Sequence, residues 1–404
     1  MVRLDKAVQT IVAERFGIDL PRSSINKLLQ LGGVKYNGEV IKKKGFKFKD
    51  FAEARKIEVD EKIINAVIEA YTTGRVSIEN AQMWDNYAPI GNFALREEFI
   101  DQVPDITDDI LYQDKNFVFV YKPAGVLSHP AHDNQEDNMV YRFLKYFQAV
   151  SNHMPRGGLL HRLDRDTQGG MLFAQNLMAF NHVKSQFNTN QVIKLYLAVG
   201  VVSDSVTKLG KQLVGLAKKQ DLTAFLDVFG QVVVKRDSKD TVQVINSKAL
   251  FDYVLAQPKL DLDGYIAMKR FENKASFVLD MRKLKNKNYR KIKDARSEIY
   301  PLGYISDRGL VVFAVRLLTV RTHQIRAQAQ FLGLPLLFDS LYSTNRLFRE
   351  YKTKFKDNKN HSDDIKSADF PLHLASIGLS FYDLDKQRKY LALPKNKLDF
   401  RIFE

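Results

Sequence analysis

Gly157-Gly158-Leu159-Leu160-His161-Arg162-Leu163-Asp164-Arg165-Asp166-Thr167-Gln168-Gly169-Gly170 is the stretch on which the reading of this chain turns. It sets a carboxylate, Asp164, between Arg162 and Arg165, in a segment bounded by glycine pairs. Neighbouring guanidinium groups favour an ionised carboxylate and attract a polyanion, and glycines let backbone approach a ligand closely. The combination reads as an acid poised to act on a nucleic acid. Aspartates beside arginine are also common on ordinary surfaces, so this segment alone leaves both readings open.

The rest of the chain narrows them. Its 404 residues are enough for two or three domains. Lys plus Arg number 62 against 47 Asp plus Glu, a formal charge of +15, which suits a polyphosphate partner. The absence of cysteine excludes disulfides, thiolate metal sites and cysteine nucleophiles. Met1-Val2-Arg3-Leu4-Asp5 lacks the apolar core of a signal peptide, and no apolar run has the length of a membrane span. A soluble, cytoplasmic protein is expected, with a monomer as the default.

Residues 1–60 carry a pattern of their own. Leu4, Ala7, Val8, Ile11 and Val12 recur at helical spacing. Pro21-Arg22-Ser23-Ser24 opens a second helix with a serine expected at the N-cap, and Gly32-Gly33 stops it. Val34-Lys35-Tyr36, Asn37-Gly38 and Glu39-Val40-Ile41 read as a hairpin with a type I′ turn. Arg22, Lys27, Lys35, Lys42, Lys43 and Lys44 gather here as a cationic face for phosphates. The order resembles the alpha-L RNA-binding domain of a small-subunit ribosomal protein and of many bacterial RNA-modifying enzymes, which implies a small α/β module. Residues 61–110, with a helix near Ile63–Ala70, read as a connector, and Trp84 within them as packing.

Strands begin at Phe117-Val118-Phe119-Val120-Tyr121 and continue at Met171–Ala174, Val192–Val199 and Gly309–Leu318, with helices near Met139–Val150 and Met178–Phe187. The fold class is α+β around a largely antiparallel sheet. Four blocks lie in this region: Tyr121-Lys122-Pro123-Ala124-Gly125-Val126-Leu127-Ser128-His129-Pro130, the Asp164 segment, Lys194-Leu195-Tyr196-Leu197-Ala198-Val199, and Arg321-Thr322-His323-Gln324-Ile325-Arg326. Their order resembles the RluA-type pseudouridine synthases, over roughly residues 112–200 and 290–385. The resemblance implies a catalytic domain at 111–385 built on a mixed, mainly antiparallel sheet with the cleft across its middle, and a tail at 386–404. Residues 203–290 exceed the family's usual length; they are lysine-rich, yet Val232-Val233-Val234 and Phe251–Leu255 are apolar enough to fold. They either extend an RNA-binding surface or decorate the domain.

The implied reaction isomerises uridine to pseudouridine, most naturally in large-subunit ribosomal RNA, with transfer RNA as the alternative. It needs no redox step, metal or cofactor. Asp164 matches the family's essential aspartate, acting as nucleophile on the anomeric carbon or as base at the neighbouring sugar position. Arg326 matches the residue that pairs with that aspartate, and an opposite charge at that range lowers a carboxylate pKa by about 1–3 units. Tyr196 matches the tyrosine that stacks on the uracil, and Arg162 the residue that fills the vacated stack. Arg165, Arg321 and Lys122 are further RNA-contact candidates, with Lys122 equally suited to closing the cleft wall. His161 and His323 read as hydrogen-bonded scaffold, and Asp339 and Tyr342 as structural. Gln168, Tyr121, Val320 and Leu334 depart from the family's usual serine, asparagine, glycine and histidine. Two rivals remain: a metal-dependent phosphohydrolase using Asp164 and Asp166, and a non-catalytic RNA-binding or ribosome-assembly factor on the same fold.

Overall fold

The computed structural model describes residues 2–18, 20, 22–41, 46–73, 97–130, 137–147, 154–237, 242–270, 272, 274–284, 288–343, 370–400 and 402. Lys42, Lys43, Lys44 and Trp84 lie outside the described residues.

Strand β1 (Val2–Arg3) leads into a helix, Leu4–Phe16, whose Leu4, Ala7, Val8, Ile11 and Val12 form its buried face. The next helix is Arg22–Gln30, so Ser23 and Ser24 sit inside it and neither is the N-cap. Arg22 fixes that earlier start by pairing its Nε with Asp5 of the first helix at 2.7 Å. Gly32 and Gly33 close the helix by donating to the carbonyls of Leu29 and Leu28. Strands β2 (Val34–Tyr36) and β3 (Glu39–Val40) pair across Asn37-Gly38, whose φ values of 51° and 82° are both positive, as a type I′ turn demands. β4 (Lys47–Phe48) pairs with β1, and β5 (Ile57–Val59) with β2. The helix Glu61–Thr73 buries Ile64 and Val67 in the same apolar cluster as Val8, Leu28 and Phe48. It packs with the N-terminal elements, where the sequence suggested a connector, because an apolar stripe at that spacing must be covered.

The remaining strands are β6 (Ile110–Gln113), β7 (Phe117–Lys122), β8 (Gln168–Ala174), β9 (Ile193–Val201), β10 (Val233–Arg236), β11 (Val242–Ile245), β12 (Leu260–Lys269), β13 (Ala275–Val278), β14 (Tyr289–Ile305), β15 (Leu310–Leu317), β16 (Leu374–Tyr382) and β17 (Arg388–Ala392). Apart from β10 and β11, which pair with each other, they form one sheet in the order β13-β12-β14-β15-β9-β16-β8-β7-β6, with β17 beside β16. All its pairings are antiparallel except β16 with β8, where Ala375 faces Gln168 and Ser376 faces Gly169. The class is therefore α+β with a mixed, mainly antiparallel sheet.

Both faces of this sheet are covered, which explains why its central strands read as unbroken apolar runs. Along β9, Tyr196 and Ala198 join one core, while Leu195, Leu197 and Val199 join the other. β8 divides in the same way, Met171 and Phe173 against Leu172 and Ala174. At the parallel junction a Cβ on Gly169 would lie 2.4 Å from the Ser376 carbonyl oxygen, so only glycine lets these strands meet.

Residues 203–290 are part of this body. Helices Lys208–Ala217, Leu222–Gly230 and Ser247–Ala256 send Leu213 and Ala217 into one core and Phe225, Phe229, Leu250, Phe251 and Val254 into the other. Phe251 packs over Gly378 of β16, a position where any Cβ would come within 2.8 Å of its ring. Phe251→Ala should therefore destabilise the whole sheet domain by about 3–5 kcal/mol. Thermal denaturation followed by near-ultraviolet circular dichroism checks this; an unchanged main transition would mean the segment is an appendage.

Candidate active site

Asp164 is held by clamps from two directions. Upstream, Leu160 donates its N–H to the Leu172 carbonyl, and the His161 Nε2 accepts the Leu172 N–H at 3.1 Å, docking the segment along β8. Burial pushes the His161 imidazole down to about 3, so it stays neutral, as an acceptor must. Buried Ser128 then takes both backbone groups of Leu163: its Oγ donates to the carbonyl at 2.6 Å and accepts the N–H at 2.9 Å. Downstream, Thr167 N–H donates to the Asp164 carbonyl, closing a tight turn.

The second clamp is Lys122 at the end of β7. Its side chain is fully buried, and Nζ donates to the carbonyls of Pro123, Val126 and Arg165 at 2.9, 2.6 and 2.8 Å. Gly125 N–H donates to the same Arg165 carbonyl. Burial pushes the amine down to about 7, with the Asp166 and Asp164 charges acting the other way. Three carbonyls accept the three protons of an ammonium, whereas a neutral amine has only two, so the geometry favours the charged form. Lys122 was suited equally to contacting RNA and to a structural role at the cleft wall; here all three Nζ protons go to backbone carbonyls, which is the structural alternative.

The turn faces a small cavity lined by Arg162, Leu163, Asp164, Thr167, Tyr196, Leu317, Val320, Arg321, His323, Gln324, Ile325, Arg326 and Leu374. Three of the four sequence blocks thus meet there, from β9, from the helix Gln324–Leu332 and from the turn itself. The Asp164 side chain is about one quarter exposed (26%). Among the described residues no side chain or backbone donor bonds its carboxylate; the nearest cation-capable atom is His323 Nε2 at 3.9 Å. Tyr196 is buried, and burial together with the Asp164 charge drives its phenol well above the ordinary range, so it is neutral.

Arg326 lies on this wall, but its partner differs from the expected one. Nε and one terminal nitrogen form a two-point bond to Asp339, at 2.8 and 2.7 Å, with both side chains buried. Asp339 is itself oriented by the N–H groups of Leu341 and Tyr342. Burial works against the Arg326 charge and the bonded Asp339 outweighs it, so its pKa stands above the ordinary value. Asp164 contributes to Arg326 only as a nearby charge.

The other positively charged candidates are scattered. Arg162 and Arg165 are exposed, the latter beside Asp166 at 3.0 Å. Arg321 forks onto Asp294 of β14, using its carbonyl at 2.9 Å and its carboxylate at 2.7 Å. Arg22 and Lys35 are exposed on the N-terminal elements; Lys27 is half-buried there, which pushes its amine down to about 8. The roles of Ser128, Gln324 and Asp339 were not anticipated. Gln324 donates to the Arg296 carbonyl and the Ser297 hydroxyl and accepts from Thr319, pinning the start of its helix to β14. Two departures from the expected motifs also explain each other: Tyr121 donates its hydroxyl proton to Gln168 Oε1 at 3.2 Å, and the same amide exchanges bonds with the Asp399 backbone.

A family model described as RNA pseudouridylate synthase matches residues 116–331. Ribosomal large subunit pseudouridine synthase D of Buchnera aphidicola is 24% identical over 264 residues, 65% of this chain and 64% of that protein. The protein of the same name from Xylella fastidiosa is 41% identical over 102 residues, 25% of this chain and 30% of its own length. Both matches span less than two thirds of the curated relatives. The solved structure titled Human RNA Pseudouridylate Synthase Domain Containing 4 is 20% identical over 72% of this chain and 91% of that one, at a TM-score of 0.43, too loose to carry an argument.

Lys122→Met keeps the bulk of the side chain and removes its donors, leaving three buried carbonyls short of a partner. It should cost at least about 2 kcal/mol in urea unfolding. A loss below about 0.5 kcal/mol would mean the lysine does not hold the turn.

Proposed function

Because the chain belongs to the RNA pseudouridylate synthase family, we propose that it converts uridine to pseudouridine in structured RNA, with large-subunit ribosomal RNA as its substrate. The observation that carries this reading is the Asp164 carboxylate, rigidly placed and free of hydrogen-bond donors among the described residues, at the edge of a cavity with the neutral Tyr196 phenol on its wall. Such an acid is available to a sugar carbon. It acts there as nucleophile on the anomeric position or as base at the neighbouring one.

A uridine inside a stem or loop leaves its stack to reach Asp164, at a cost of a few kcal/mol. Exposed Arg162, at the mouth of the same cavity, suits the vacated position, since a planar guanidinium both stacks and bonds phosphate. The detached uracil is retained against Tyr196, Leu317 and Leu374, and turned so that its fifth carbon meets the sugar. Arg326 supplies a fixed charge on the pocket wall, held from behind by Asp339, and it keeps a nitrogen beyond the two that Asp339 uses. The N-terminal elements act as an alpha-L module that grips phosphates through Arg22, Lys35 and the lysines that follow. The named activity of the two bacterial relatives supports the ribosomal target.

RNA transcribed with uridine tritiated at the fifth carbon tests the proposal, because forming pseudouridine sends that label to water. Wild-type protein should release tritium from large-subunit ribosomal RNA, and Asp164→Asn should release none while still binding. Release from transfer RNA alone would overturn the target. No release from either RNA would overturn the reaction.

A further inference from the structure

His323 brings an ionisable nitrogen to 3.9 Å from the Asp164 carboxylate, and its surroundings favour one position for its proton. The ring stands in the cavity with Nε2 3.9 Å from Asp164 Oδ2, while Nδ1 lies 3.2 Å from the Tyr342 hydroxyl. That hydroxyl serves Ala275, on β13 at the edge of the sheet. Lys269 N–H bonds the Lys274 carbonyl, so the next pair along, Met268 with Ala275, points its backbone groups away from each other. Ala275 N–H donates to Tyr342 at 2.8 Å, and Tyr342 donates its one proton to the Ala275 carbonyl at 3.2 Å. While the hydroxyl gives its proton to that carbonyl, it accepts from the imidazole. Neutral His323 therefore carries its proton on Nδ1, and the Nε2 lone pair faces the carboxylate.

A lone pair facing a carboxylate at 3.9 Å makes no bond, whereas a proton placed between them makes an ion pair. We propose that His323 is a positioning residue for Asp164: as the neutral Nδ1–H form it leaves the carboxylate free in the pocket, and as the imidazolium it draws the carboxylate out of reach of the sugar. For its kinetic consequence the inference rests on the function proposed above; the contact itself does not. The charged groups facing the ring are Asp164 and Asp166 of the turn, Arg326 of its own helix and Asp339 beyond it, with Lys274 over the Tyr342 ring from the β13 side. Burial holds the imidazole below the ordinary histidine range, with Asp164 acting the other way. The neutral form therefore dominates at neutral pH, and the charged form gains as the pH falls.

Two measurements on the full-length protein test this. In the tritium assay, kcat should fall as the pH drops below the ordinary histidine range while KM changes little. His323→Gln, which cannot titrate, should carry that decline to lower pH; a decline left in place would overturn the proposal. The second readout needs no RNA. Nuclear magnetic resonance of the histidine rings, with His323 assigned by its loss in His323→Gln, should show its titration midpoint fall by about half a unit or more in Asp164→Asn. An unchanged midpoint would overturn the contact. Should wild type release no tritium while that midpoint still falls, the reaction fails and the contact stands.

Discussion

One backbone carbonyl, that of Arg165, takes hydrogen bonds from both the Lys122 ammonium and the Gly125 N–H. The rest of the site depends on it. A buried cation whose three donors all end on carbonyls cannot shift without stranding both itself and its acceptors. With Ser128 gripping both backbone groups of the preceding Leu163, the residues on either side of Asp164 are fixed to β7 and to the segment that follows it. The aspartate is thereby presented with its carboxylate bonded to no donor among the described residues. A carboxylate saturated by protein donors would be stable and unreactive; this one is rigid in its backbone and open in its side chain.

The sheet makes that arrangement possible. β8 leaves the turn at the single parallel junction, against β16, and β9 carries Tyr196 to the same place from the other side of β16. The close approach at Gly169 brings the strands together there. Helices from residues 203–290 furnish part of the cover on both faces. That segment is thus scaffold for the site as well as an addition to the chain.

Much of this was legible in the sequence, for local reasons. Asn37-Gly38 specifies its turn because few other pairs accept two positive φ values, and Gly32-Gly33 stops a helix for a related reason. The meeting of Asp164, Tyr196 and Arg326 in one cavity follows the order of the motif blocks. What escaped were partners set by tertiary geometry. For Lys122 the sequence leaves RNA contact and a structural role equally open until the three carbonyls around it are seen, and Asp339 was taken as structural because nothing local marks it as the partner of Arg326. The helix Glu61–Thr73 was read only as part of a connector, because its stripe declares that it packs without saying against what.

Hydrogen exchange in the folded protein reaches the central claim most directly. The Leu163 and Gly125 amides, which donate to Ser128 Oγ and to the Arg165 carbonyl, report on the two clamps separately. If the turn is held as described, both should exchange only through global unfolding, with the same opening free energy as the amides of β8. Exchange through local opening several kcal/mol below the global value would contradict it, and the presentation of Asp164 would then have to come from bound RNA.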